Sequence, residues 1–416
     1  MMKRIVILGA GPAGITVAET LRKFDKTSEV IIISDEPYPP YSPPAMTEYF
    51  LTGKAFHLWK GSNFIDNYLN AKYLSGKSKR VVEVDPESCR VVLLDGEEIY
   101  FDNLVLATGS RLSASIKGME KEGLYNFKSL SAAEEIMEKV REREAKSALV
   151  IGAGFIGIEI AVLLKELGVK VTQLVRSRYM RGMLDEEAAG VLMHIMENKG
   201  IDVLKGSDAD TVEFMGDPDV RSVRVRSGKI LTADLMIAAT GIRPNVEFLS
   251  GSGIKVNDGV VVDEFMRTNY SQIYACGDIA ETINRITRQR VVYPSFYNAV
   301  NQGVITAYNL LGMNIRYEGA DRINSIKHIG IPLITAGDVD SKDGSSVVYK
   351  KGKGFIKKIF LKNGRIVGFI LLNDITNAGI FKRLMDRQVD VSSYRDRLLD
   401  ENFGEGLLYR SILKIM

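Results

Sequence analysis

The chain writes one module twice. "VILGAGPAGITVAETL" begins at Val6, and "LVIGAGFIGIEIAVLL" begins at Leu149. Each is an apolar run, then G-x-G-x-x-G, then apolar residues at helical spacing. The triplet is Gly9, Gly11 and Gly14 in the first copy and Gly152, Gly154 and Gly157 in the second. Each copy is followed by a strand ending in Ala-Thr-Gly, "LVLATGSR" at 104–111 and "MIAATGIR" at 236–243. One such triplet is a weak signal, but each here lies between a predicted strand and a predicted helix, the context a dinucleotide needs. In the second copy Ile156, Ile160, Leu163 and Leu164 recur at three and four residues, and Gly168 predicts the helix stop. The first glycine makes the tight turn and the second lets a pyrophosphate approach the backbone. The third lets the helix pack closely, its N-terminal amides toward the phosphates. Pro12, Ala13 and Ile156 fill positions within the triplets and count among the binding residues. Two unrelated glycine turns are the bland alternative, and the repetition weighs against it. Two bound dinucleotides and an α/β fold are expected.

The two copies differ after their second strands. "EVIIISDEP" ends the first on Asp35, 21 residues beyond Gly14, the spacing of a carboxylate that receives ribose hydroxyls. Glu36 is the next acid and could exchange roles with it. In "VKVTQLVRSRYMRGMLDEE" the same spacing lands among Val175, Arg176, Ser177 and Arg178, with no acid before Asp185. Arginines there accommodate a 2′-phosphate, so the second nucleotide leans toward NADPH. Arg176, Arg178 and Arg181 also fit a solvated basic loop, so the expectation is NAD(P)H with that lean.

Composition excludes several classes. The net charge of +3 gives no reason to expect nucleic acid or an anionic membrane. Two cysteines, Cys89 and Cys276, exclude a disulfide framework and any four-cysteine metal or iron–sulfur site. His57, His194 and His328 are scattered and form no metal cluster, so no metal is expected. The apolar start "MMKRIVILGAGPAG" runs straight into a glycine triplet and reads as a strand, not a signal peptide. Residues 148–164 are apolar but fall short of the roughly 20 that a spanning helix needs. A cytoplasmic, soluble protein with no membrane span is expected.

A third motif completes the set. "YACGDIAE" places Cys276, Gly277 and Asp278 after a predicted strand at 273–275. Together with Gly9–Gly14, "LVLATGS", Gly152–Gly157 and "ATGIRPN", in this order, it resembles the FAD-dependent pyridine nucleotide–disulfide oxidoreductases, over nearly the whole chain. The resemblance implies two Rossmann-like domains plus a C-terminal α+β domain. FAD would occupy 1–112 and 240–314, NAD(P) would occupy 113–239, and the interface domain would be 315–416. The FAD site would include Val82, Ala107, Thr108, Gly109, Gly241, Gly277, Asp278 (on the ribityl chain) and Gln302, the last from an A-x-x-Q-G pattern in "YPSFYNAVNQG". "SAAEEIMEKVREREAKS" would be a helix and loop, and "FIKKIFLKNGRIVGFILLNDITNAGIF" two strands around an Asn-Gly turn, then a helix. The C-terminal region often packs on a partner in such proteins, and the resemblance extends that arrangement, a homodimer, to this chain as an expectation.

The resemblance also implies roles at the junction of the two nucleotides. Phe155 matches a gate over the flavin ring and Glu159 a glutamate near the nicotinamide. Disulfide reductases of this kind carry redox cysteines where this chain has "PPYSPPAMTEYF", residues 39–50, with none. The stretch is similar instead to the cysteine-free branch: rubredoxin and ferredoxin reductases and the flavin portion of nitrite reductases. Two positions depart from those patterns. Pro43 replaces an arginine, and Thr47 stands where a lysine pairs with the glutamate. With FAD the only redox group, the expected activity is NAD(P)H:acceptor oxidoreduction, electrons leaving to a rubredoxin- or ferredoxin-type protein. Alternatively the chain is a subunit of a phenylglyoxylate-type 2-oxoacid dehydrogenase, running in reverse. A peroxide-forming oxidase and a non-catalytic redox sensor or assembly partner are further alternatives.

Overall fold

Residues 5–8 and 30–33 are buried on both faces, which is why they read as unbroken apolar runs rather than alternating ones. Strands covered on both sides belong to parallel sheets. The computed structural model describes residues 3–61, 63–112, 116–326, 330–339 and 345–404, so His328 lies outside the described residues. The chain forms two compact units. One gathers the described residues of 1–113, 128–131 and 241–321, and the other those of 114–127, 132–240 and 322–416.

The first unit is built on a parallel sheet in the order Ile273–Ala275, Asn103–Leu106, Arg4–Leu8, Glu29–Ser34, Lys72–Ser75. Helix Pro12–Phe24 follows the first strand, and helix Phe296–Leu310 packs on it. That packing is tight at Gly303, where a Cβ would lie 2.7 Å from the Ala13 carbonyl oxygen and 2.9 Å from Thr16 Cβ. An antiparallel meander, Val81–Asp85, Arg90–Leu93 and Glu98–Tyr100, branches from this unit, with Cys89 in its first turn. Residues 39–50 form a short 3-10 turn, Pro43–Ala45, and then helix Met46–Thr52.

The second unit repeats the plan. Its parallel sheet runs Asp202–Lys205, Lys170–Val175, Ser147–Ile151, Leu235–Ala238, Leu124–Tyr125, with the second glycine triplet again after the central strand. Its meander is Thr211–Met215, Ser222–Val225 and Ile230–Thr232. The apolar run at 148–164 is thereby divided between strand Ser147–Ile151 and helix Phe155–Glu166. The polar stretch after "SL" forms helix Leu130–Arg141. Among the described residues no helix is long and apolar enough to cross a membrane.

The same unit carries an antiparallel sheet in the order Ile323–Ile326, Leu333–Gly337, Arg365–Leu372, Phe355–Lys362, Ser346–Gly352. The two longest strands meet at Asn363 and Gly364, both at positive φ, as a two-residue Asn-Gly hairpin requires. Helix Ala378–Asp386 lies on this sheet, and in its core Phe381 meets Phe369 at a tilt, ring centroids 6.1 Å apart, and stacks on Phe403 at 6.2 Å.

Candidate nucleotide-binding sites

The two glycine triplets have nearly the same geometry. Gly9 sits at φ +110° and Gly152 at φ +121°, a region that side chains with a Cβ rarely adopt. A Cβ on Gly9 would lie 2.2 Å from the Ala107 carbonyl oxygen, and one on Gly152 would lie 2.3 Å from that of Ala239. The third glycines are equally closed. Cβ atoms on Gly14 and Gly157 would lie 2.0 and 2.4 Å from the carbonyl oxygens of Gly9 and Gly152. The middle glycines are different: nothing lies within 4 Å of a Cβ on Gly11 or on Gly154. Each is the N-cap of the following helix, and neither supplies a side chain to the first-turn amides. Two turns are therefore closed toward the protein and open toward an anion at a helix N-terminus, as a pyrophosphate requires. These residues fit FAD and a nicotinamide nucleotide.

In the first unit, strand Glu29–Ser34 delivers Asp35 and Glu36 with different surroundings. Asp35 as a residue is exposed, although its carboxyl is partly desolvated by the surrounding chain, and that desolvation together with the neighbouring Glu36 charge raises its pKa. Glu36 is engaged: Tyr41 Oη donates to its Oε2 at 2.7 Å, and Ser131 N and Oγ donate to its Oε1 at 3.0 and 2.9 Å. Tyr41 comes from the cysteine-free stretch, and its hydroxyl also accepts from Leu130 N at 3.0 Å. Asp35 is thus the acid left facing outward.

The remaining first-unit residues assemble around the Ala-Thr-Gly and Cys-Gly-Asp turns. Asn245 Nδ2 donates to the Thr108 carbonyl at 2.8 Å, and Thr108 Oγ1 donates to the Asn245 carbonyl at 3.1 Å. Asn245 N donates to the Gly109 carbonyl at 3.0 Å, which joins "ATGS" to "GIRPN". Ala107 is buried, while Gly241 and Val82 are exposed. Gly277 lies against Ala13, where a Cβ would sit 2.8 Å from Ala13 Cβ, and its N–H donates to the buried Gln302 Oε1 at 2.7 Å. Asp278 Oδ2 accepts from Ser110 Oγ at 2.7 Å and from Lys128 Nζ at 3.0 Å. No described residue donates to its Oδ1. One oxygen is thus committed to the protein, while Pro12 stands half-buried at the first helical position.

The two thiols lie apart, one in the core and one in the meander turn. Cys276 is fully buried, and burial pushes its pKa up to about 12. Cys89 occupies the meander turn at φ +52°. Thr47 is 2% exposed within helix Met46–Thr52. His57 Nδ1 lies 2.9 Å from Glu48 Oε2 at the surface, His194 is exposed, and no metal-binding cluster occurs among the described residues.

In the second unit, Phe155 and Ile156 open helix Phe155–Glu166 half-buried. Glu159 follows one turn later, with no hydrogen bond from any described residue, and burial pushes its pKa up to about 7. A carboxyl so placed exchanges a proton near neutrality. Strand Lys170–Val175 ends at the exposed Arg176 and half-buried Arg178, whose Nη1 lies 3.7 Å from Glu186 Oε1. Gln173, inside that strand, donates from Nε2 to the Gly152 carbonyl at 2.9 Å.

Several of these contacts had no local signal in the sequence. Ser110 and Lys128 reach Asp278 across 168 and 150 residues. Tyr41 and Ser131 meet at Glu36 across the intervening meander. Only pairing across the fold reveals them.

Comparison with known proteins identifies the family. Residues 3–303 match pyridine nucleotide-disulphide oxidoreductase, and residues 323–389 match the rubredoxin NAD+ reductase C-terminal domain. The chain belongs to the pyridine nucleotide-disulphide oxidoreductase family, a family of FAD- and NAD(P)H-dependent flavoproteins. It is similar to the assimilatory nitrate reductase electron transfer subunit of Bacillus subtilis, 30% identical over 99% of this chain and 52% of that protein. The chain thus spans about half the length of that relative. It is also similar to the NADH-rubredoxin oxidoreductase of Clostridium acetobutylicum, 26% identical over 95% of this chain and 98% of that one. In fold it is similar to a ferredoxin reductase of Rhodopseudomonas palustris, with a TM-score of 0.84, 24% identity, and 96% and 98% of the two chains covered.

Proposed function

We propose that this chain is an NAD(P)H:acceptor oxidoreductase whose electrons leave through FAD to a small external protein of the rubredoxin or ferredoxin type. The observation that carries the reading is a pair of open glycine turns combined with the lack of a cysteine where disulfide reductases carry theirs. Residues 39–50 contain no cysteine, and Cys276 is sealed in the core. FAD supplies the step between two-electron hydride transfer and one-electron delivery. Gly11 and the amides after it would hold its pyrophosphate, Asp35 the adenosine ribose and Asp278 Oδ1 the ribityl hydroxyls. The first unit would thus be the FAD domain. The second would take the nicotinamide nucleotide on Gly154, with Phe155 excluding water and Glu159 holding a proton close to the nicotinamide.

The C-terminal match to rubredoxin NAD+ reductases and the names of the relatives support a protein acceptor. The Bacillus relative's name carries the same chemistry into a subunit of a larger enzyme. A preference for NADPH is supported by Arg176 and Arg178 at a strand end that has no free acid. The Clostridium relative is named for NADH, so the preference is a matter for measurement. The cytoplasm, where the NAD(P)H pool lies, is the expected location. Reduction of a purified rubredoxin or plant-type ferredoxin by NADH and NADPH, followed optically, tests the proposal. Turnover with at least one carrier supports it, and turnover with oxygen alone contradicts it.

A further inference from the structure

The loop from Arg176 to Asp185 follows the strand that, in a dinucleotide fold, ends beside the adenosine ribose. It is gripped from two directions within one unit. Toward the glycine turn, Met180 N donates to the Ala153 carbonyl at 2.8 Å. The buried Tyr179 hydroxyl donates to Gln173 Oε1 at 2.7 Å, and Gln173 in turn holds the Gly152 carbonyl. The other grip comes from the C-terminal sheet. Arg322 Nη1 donates to the Gly182 carbonyl at 2.9 Å, and Thr335 Oγ1 donates to the Met183 carbonyl at 2.6 Å. Lys358 Nζ lies 2.5 Å from Asp185 Oδ2 and 2.7 Å from Glu187 Oε2, fixing the start of helix Glu186–Asn198.

Thr335 is 1% exposed, so its hydroxyl is spent on this one carbonyl, which would be left unpaired without it. Met180 sits at φ +48°, a conformation that a residue of its kind keeps only when its surroundings impose it. The loop is therefore a strained segment held by both sides, not a free basic surface.

From this geometry we infer that the C-terminal sheet is part of the nicotinamide nucleotide site. Arg322 and Thr335 are positioning residues: by fixing the carbonyls of Gly182 and Met183 they fix where Arg176 and Arg178 stand. They thereby set affinity for the adenosine end of the nucleotide. The inference rests on the second unit being the NAD(P)H site.

The test uses the full FAD-loaded chain and calorimetric titration with two fragments, 2′,5′-ADP and ADP-ribose, alongside melting temperature and flavin content. Thr335→Val removes the hydroxyl at constant shape, and Arg322→Gln removes the second grip independently. Each raises the Kd of the fragments roughly three- to tenfold, the cost of one buried hydrogen bond. Thr335→Ser keeps the donor and restores wild-type binding. Fragment affinities unchanged in both variants overturn the inference, and so does a lowered melting temperature without a change in Kd, which marks the ties as structural alone. If Thr335→Val does not fold, Arg322→Gln decides. A wild-type chain that binds neither fragment overturns the underlying reading of the second unit, which separates the two failures.

Discussion

Ser110 Oγ donates to Asp278 Oδ2 at 2.7 Å, across 168 residues of sequence, and leaves Asp278 Oδ1 without a partner among the described residues. The serine orients the carboxylate and Lys128 balances its charge, and on the proposed reading the second oxygen would take a ribityl hydroxyl of FAD. Asp278→Ala is expected to weaken FAD binding at least tenfold, the scale of a hydrogen bond to a charged group. Ser110→Ala keeps the carboxylate and loses only its orientation, so its effect is smaller. Flavin-to-protein absorbance ratios after dialysis, with FAD back-titration, measure both.

Asp35 and Glu36 are adjacent acids with separate tasks. Glu36 accepts from Tyr41 and from Ser131 twice, so Glu36→Ala strands three donors and lowers stability by about 1–3 kcal/mol. Asp35→Ala strands none, so the fold is unchanged while FAD affinity falls. Denaturant melts of the flavin-free proteins and FAD titrations read the two effects apart. A fall in FAD affinity confined to the Glu36 variant would reverse the assignment.

How much of this was legible in the sequence differs by contact range. Gly9, Gly11 and Gly14, and their second-copy equivalents, were readable because a strand–turn–helix is a local event and only glycine fits its closed positions. The hairpin at Asn363 and Gly364 was readable for the same reason. The lack of a cysteine in residues 39–50 was legible directly, since Cys89 and Cys276 are the chain's two cysteines. The grip of Tyr41 and Ser131 on Glu36, which leaves Asp35 outward, was not, because it depends on residues far apart meeting. Nor was the C-terminal sheet's hold on residues 182–185: a carbonyl accepting a hydrogen bond leaves no mark on residue type. Sequence pattern marks the elements, and long-range hydrogen bonds decide which side chains are free.

Glu159 carries a pH signature. Its pKa in the fold, pushed up to about 7, exceeds the unfolded value of about 4.3, so the native chain binds this proton more tightly. The stability it contributes is full below about pH 4 and is lost as pH rises through 7. Glu159→Gln therefore gains stability over wild type progressively between pH 5 and pH 8, by at most about 4 kcal/mol. The rate of flavin reduction by NAD(P)H shows an ionisation near pH 7 in wild type that is missing in the variant. Parallel pH profiles for the two proteins would remove Glu159 from the account.

On the proposed reading Arg176 and Arg178 would meet the 2′-phosphate of NADPH. Replacing both with alanine raises the Kd for NADPH about 10- to 100-fold, as expected for loss of charge-assisted bonds to phosphate, and that for NADH less than threefold. Equal losses for both nucleotides would show that the arginines do not read the 2′ position.

The central claim is that FAD is the only redox centre and that a nicotinamide nucleotide reduces it directly. Anaerobic titration of the purified yellow protein with NADH and, separately, NADPH tests it through the flavin's visible absorbance. The account predicts full bleaching by one equivalent of at least one nucleotide, with no long-wavelength thiolate band, because Cys276 is buried with its pKa pushed up to about 12. A flavin that stays oxidised with both nucleotides, or a thiolate band on reduction, would contradict it.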